Sequence, residues 1–194
     1  VTPPRLLLLT DRRQLPQGRG LVEVVTRCAD AGATTVVLRE LDLEGSARAD
    51  LAAELASCVG VVAARAVLPG AHAVQLASHQ PVADAGGLPH GRSCHDPDDV
   101  VRAVAQGASW VTVSPVAASR SKPGYGPPLG ADGVRRAVAA AAGTPVYALG
   151  GVEAGTVPDL RAAGAHGVAV MGAVMRAADP AAVVSRLLAA LGDR

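Results

Sequence analysis

The chain has 194 residues, a formal net charge of +1, and an apolar content of 49% with only 2% aromatic residues and no Phe. That length suits one domain, residues 1–194, whose core is built from Val, Leu and Ala, as in the tightly filled interior of a parallel barrel. With no basic run interleaved with aromatics, and no apolar stretch near the roughly 20 residues that cross a bilayer, neither nucleic acid nor membrane is an expected partner.

In chain order, short apolar runs alternate with Ala-rich helical stretches. Leu6–Thr10 reads as a strand. Its apolar part is too short for a signal-peptide core and meets Asp11, Arg12 and Arg13 at once, so a cytoplasmic protein is expected. Leu21–Ala31 reads as a helix closed by Gly32, and Thr35–Arg39 as a second strand. Ser46–Cys58 follows as a helix, with Leu51 and Leu55 on one face. Val61–Arg65, Ala73–Leu76 and His90–Ser93 read as strands three to five. Asp96 then caps a helix over Pro97–Gln106. Trp110–Ser114, Pro145–Leu149 and Gly167–Met171 complete eight strands, with helices over Ala131–Ala142, Ala154–Ala163 and Pro180–Leu191. Eight strands in so short a chain point to a single compact (β/α)8 barrel rather than an open doubly wound sheet. The Ala-Gly-Ala at 31–33 and again at 163–165 marks a repeated unit with a helix-capping glycine before each strand.

Two places break the pattern. Only Ala66–His72 separates strands three and four, fewer residues than the ten or so a helical crossover needs, and Ser78–Pro89 is short and rich in Pro and Gly. The third and fourth helices are therefore expected to be missing or reduced. The thinned quadrant would expose apolar barrel surface near residues 61–90, and a homodimer is expected there. Val116–Gly130 is a long loop carrying a lone Lys122, of the kind that forms a lid or stays unstructured.

The chemistry gathers at strand ends. Gly150-Gly151 and Gly172-Ala173 follow the seventh and eighth strands, where backbone N–H groups of a barrel commonly take a phosphate; the same glycines would also serve as tight turns. Gly91-Arg92-Ser93-Cys94-His95-Asp96 puts Ser93 and His95 at the top of strand five. His95 there is an acid/base or a rim hydrogen-bonding group. Arg39 ends strand two as an anion ligand or as half of an ion pair with Glu40 or Asp42. Lys122 and Arg65 are surface charges or anion contacts. Cys28, Cys58 and Cys94 lack metal spacing and read as free thiols, and no constellation favours a metal.

Together these pieces resemble the thiamine phosphate synthase and TenI-like thiazole tautomerase family. The likeness covers nearly the whole chain. It runs through Leu8-Leu9-Thr10-Asp11-Arg12, Val37-Leu38-Arg39-Glu40, Gly91–Asp96, Val113-Ser114-Pro115-Val116 and Ser119–Pro123. It continues through Pro127-Pro128-Leu129-Gly130, Leu149-Gly150-Gly151-Val152 and Ala163–Ala173. The resemblance implies a (β/α)8 fold and a phosphorylated thiazole ligand. It adds Ser119 and Lys122 to Arg39, Ser93, Gly150, Gly151, Gly172 and Ala173 as ligand contacts.

The synthase of this family joins a pyrimidine pyrophosphate to a thiazole phosphate and needs magnesium held by two aspartates. Here the matching positions are Ala64, in Ala63-Ala64-Arg65, and Gln80, in Ala77-Ser78-His79-Gln80. The family's Gln-x-Arg-x-Lys becomes Val37-Leu38-Arg39-Glu40-Leu41, keeping the Arg alone. The tautomerase branch uses a His matching His95 to move a proton and aromatise a thiazole carboxylate phosphate, with no cofactor. The expectation is therefore a tautomerase-like isomerase with His95 catalytic. The alternatives are a divergent magnesium-dependent synthase, or a non-catalytic barrel that binds a phosphorylated ligand.

Overall fold

The structure is a computed structural model and describes residues 3–118 and 127–192. Eight parallel strands close into a barrel in sequence order. They are β1 Leu6–Leu9, β2 Thr35–Leu38, β3 Gly60–Ala64, β4 Ala73–Leu76, β5 His90–Cys94, β6 Trp110–Val113, β7 Val146–Leu149 and β8 Gly167–Val170. Closure is made by β1 against β8, with Leu6 opposite Val168 and Leu8 opposite Val170. An open sheet is thereby excluded.

Strand residues are buried on both faces, which is why most of the strands read as apolar runs; β5, His90–Cys94, is the polar exception. Outward side chains such as Leu8, Val36, Val111 and Val168 pack under the helices, while Leu7, Leu9, Val37, Val62 and Ala169 fill the barrel interior. The outer ring holds α1 Leu21–Asp30, α2 Gly45–Leu55, α3 Pro97–Ala105, α4 Gly130–Ala140, α5 Val157–Ala162, a one-turn α6 Gly172–Met175, and α7 Pro180–Leu191. Helix starts follow the expected chemistry. Asp96 accepts from Asp99 N at 2.7 Å and Asp179 from Ala182 N at 3.2 Å, each with Pro in the first turn of its helix.

The chain runs from β3 to β4 without a helix, and a 3-10 turn, Val82–Ala85, replaces the helix between β4 and β5. The thin quadrant is as expected, but its apolar surface is not bare. Leu68 tucks in beside β3, and Ala85 and Leu88 cover Val74 and Leu76 on the outside of β4. Arg92 supplies the rest. It points outward from β5, is 1% exposed, and donates to Ala77 O at 2.8 Å, to Gln80 O, and to Gln106 Oε1 at 3.0 Å. A buried arginine thus braces the loop that a helix would otherwise hold. The expectation of broad apolar exposure is corrected: Val67 and Val82 are the large apolar side chains left exposed here.

Cys28 and Cys94 are buried, and burial pushes both thiols up to about 12, so they are inert core residues, while Cys58 is exposed. Among the described residues no helix is long and apolar enough to cross a membrane.

Candidate active site at the C-terminal rim

A cavity of about 700 Å³ opens at the C-terminal ends of the strands. It reaches from Arg39 and Arg65 on one side, past Ser93 and His95, to Gly150, Gly151, Gly172, Ala173 and Arg176 on the other. The structure therefore brings together all the strand-end residues singled out in the sequence. Ser119 and Lys122 lie outside the described residues, as does most of the loop expected to act as a lid.

His95 leaves β5 in the turn before α3, where Asp99 and Ser114 hold it. Its backbone N–H donates to Asp99 Oδ2 at 2.9 Å. Its Nδ1 lies 2.8 Å from Ser114 O. A carbonyl only accepts, so Nδ1 carries a proton, and in the neutral ring the lone pair sits on Nε2. Asp99 also pairs with Arg102, which keeps this buried carboxylate occupied. The first-turn acid Asp99 was missed in the sequence, where it reads as an ordinary capping-region residue.

Arg39 resolves the sequence ambiguity. Glu40 and Asp42 are both taken by Arg12: its backbone N and Nη1 each bond Glu40 at 3.0 Å, and its guanidinium grips Asp42 at 2.8 and 2.9 Å. Arg39 pairs with neither. Its backbone N–H donates to Thr10 Oγ1 at 3.0 Å, and Nη1 reaches Met171 Sδ at 2.8 Å across the cavity mouth. The Thr10-Asp11-Arg12 and Arg39-Glu40 segments are therefore a structural lock that turns one arginine inward.

On the far side, Gly150 and Gly151 take φ of +95° and +69°, a region that favours glycine. A Cβ on Gly151 would lie 2.6 Å from Ala118 O, because the loop after β6 is stitched down by Val116 N to Leu149 O and Ala117 N to Gly150 O. Gly172 and Ala173 open α6, and the first turn of any helix leaves its N–H groups without intrahelical acceptors. A Cβ on Gly172 would overlap the Arg176 guanidinium. Arg176, unremarked in the sequence, thus adds a cation beside these N–H groups. The arrangement can donate several hydrogen bonds to one anion.

The floor is polar on one side. Gln75 on β4 accepts from Trp110 Nε1 at 2.8 Å and donates to Ser93 Oγ at 3.3 Å and Thr112 Oγ1 at 3.4 Å.

Fold and cavity define a (β/α)8 barrel whose C-terminal rim carries His95 on one side and a glycine-lined end on the other. The family model described as thiamine monophosphate synthase matches residues 6–174. A thiamine-phosphate synthase of Salinispora arenicola is 42% identical over 182 residues, covering 94% of this chain and 78% of that relative. One of Chloroflexus aurantiacus is 33% identical over 201 residues, covering 95% and 91%. The thiamine phosphate pyrophosphorylase structure from Pyrococcus furiosus superposes with a TM-score of 0.84 at 23% identity, over 97% of this chain and 95% of that one, a likeness of fold. The chain belongs to the thiamine monophosphate synthase family, enzymes of thiamine biosynthesis. The relatives' names are those of a transferase, so they favour the synthase alternative over the isomerase that the sequence put first.

Magnesium, which that family reaction implies, is tested by the donor set. Ala64, which the resemblance matches to a metal-binding aspartate, lines the cavity wall and offers no side-chain oxygen. Gln80 is turned away, its amide donating to Arg65 O and to Asp84 Oδ2 at 2.8 Å. Asp84 is thereby held on the outside of the barrel. Among the described residues Glu153 is the one carboxylate lining the cavity, and no cluster of three or more His, Cys, Asp or Glu is placed to hold a metal. A magnesium–pyrophosphate complex needs several hard oxygen ligands. These residues do not fit it.

Proposed function

We propose that this family member is a thiazole tautomerase-like isomerase acting on a phosphorylated thiazole that carries a carboxylate. The observation that carries the reading is the pairing of an oriented His95 with a cavity wall that, among the described residues, lacks the carboxylates for metal-bound pyrophosphate. The substrate phosphate docks on the N–H groups of Gly150, Gly151, Gly172 and Ala173, beside Arg176. Its carboxylate lies toward Arg39 and Ser93. His95 Nε2 takes a proton from one carbon of the non-aromatic ring. Return of a proton at another carbon completes the aromatic ring, with no other atom gained or lost. Aromatisation makes the product favourable, and acid/base catalysis by His95 contributes about 10²–10⁴-fold in rate.

The relatives' activity favours a second reading, coupling of a pyrimidine pyrophosphate to a thiazole phosphate. The two separate cleanly. The isomerase converts the non-aromatic tautomer in the presence of a chelator, and the synthase releases pyrophosphate when magnesium is added.

A further inference from the structure

The polar side of the barrel floor has a defined hydrogen-bond direction. An indole N–H only donates, so the Gln75 oxygen must face Trp110, and the bond is short at 2.8 Å. The Gln75 NH2 is then fixed toward β5 and β6, where its two protons go to Ser93 Oγ and Thr112 Oγ1. Both hydroxyls therefore accept from Gln75. A hydroxyl carries one proton of its own, and among the described residues neither Ser93 nor Thr112 donates it to another protein group. Both side chains line the cavity. Gly91 makes the arrangement possible, since a Cβ there would overlap the Trp110 indole and lie 2.5 Å from Gln75 Oε1.

We propose that Gln75, oriented by Trp110, sets Ser93 and Thr112 as hydrogen-bond donors and makes this wall a subsite for a ligand group that only accepts, such as a carboxylate. Gln75 is a positioning residue. The choice of ligand rests on the isomerase reading, whereas the direction of the hydrogen bonds does not. Gln75→Glu is isosteric and reverses the wall: one carboxylate oxygen still accepts from Trp110, and the other takes the Ser93 and Thr112 protons. Lone pairs and a negative charge then face the cavity.

Calorimetric titration with two probes tests this, the thiazole carboxylate phosphate and the same thiazole phosphate without its carboxylate. Wild type is expected to prefer the carboxylate-bearing probe by about tenfold to a hundredfold, the worth of charge-assisted hydrogen bonds. Gln75→Glu is expected to abolish or invert that preference while binding of the carboxylate-free probe changes less than about threefold. Trp110→Phe, which frees the amide to turn, is expected to lie between. Should the buried glutamate prevent folding, Ser93→Ala removes one donor at the cavity surface and must lower the same ratio. An unchanged ratio in Gln75→Glu or in Ser93→Ala, or no preference in wild type, overturns the subsite. A retained preference with no turnover by wild type removes the isomerase and leaves the subsite standing. Turnover without preference does the opposite.

Discussion

His95 is fixed at two points, by Asp99 on its backbone and by Ser114 O on Nδ1. Replacement by Asn is therefore expected to leave the barrel folded while lowering turnover by about 10²–10⁴-fold; circular dichroism and steady-state rates on the same sample check both halves. His90, two residues before Arg92 on β5, tells a different story. It is buried, and burial first, then the nearby Arg92 charge, lowers its pKa below the ordinary imidazole value. Above about pH 6.5 the histidine is neutral folded and unfolded and adds no pH slope. Below it, the unfolded chain takes up a proton that the folded barrel resists, so stability falls as pH falls. Urea midpoints at pH 5 and pH 8 are expected to differ by less in His90→Gln than in wild type. At this scale the sequence was partly legible. His95, Arg39 and the glycine pairs stand at strand ends and could be read from position alone. Gln75, Asp99 and Arg176 could not, because each acquires its place from a partner on another strand or turn: Trp110, the His95 backbone, and Gln14 in the turn after β1 respectively.

The elements were legible wherever an apolar run or a capping residue marked them. All eight strands are four or five residues long; most are runs rich in buried Val, Leu and Ala, whereas β5, His90–Cys94, has none of these, and the short Ala66–His72 link announced the absent helix. The one-turn α6 and the 3-10 turns are too short to show a periodicity. The bracing of the thin quadrant was illegible for another reason: an arginine on a strand gives no sign that it will be buried. Arg92→Ala leaves Ala77 O, Gln80 O and Gln106 Oε1 without their donor and is expected to cost about 2–4 kcal/mol, read as a lowered thermal midpoint. Gly91→Ala is expected to destabilise as well, since the Trp110 indole must leave Gln75 to admit the methyl group. Loss of the Gln75 contact would then show as a changed tryptophan emission, Trp110 being the single tryptophan of the chain.

For the whole molecule, the closed barrel places glycine-lined strand ends and the oriented His95 around one cavity. A ligand bound there at a hundred times its dissociation constant stabilises the fold by about 2.7 kcal/mol, an upward shift of roughly 5–10 °C for a chain of this size. The thiazole phosphate is expected to produce that shift in wild type. Gly151→Ala, whose methyl group would strike Ala118 O, is expected to lose most of it. The expected homodimer has less to rest on than the sequence suggested, because Leu68, Ala85, Leu88 and Arg92 close the thin quadrant from within.

The central claim is that this member of the family moves a proton at His95 without a metal. The measurement that tests it most directly is conversion of the non-aromatic thiazole carboxylate phosphate, with a chelator present, by wild type and by His95→Ala. Conversion by wild type and not by the folded variant is the predicted result. No conversion by wild type, with pyrophosphate released from the paired precursors once magnesium is added, would contradict it.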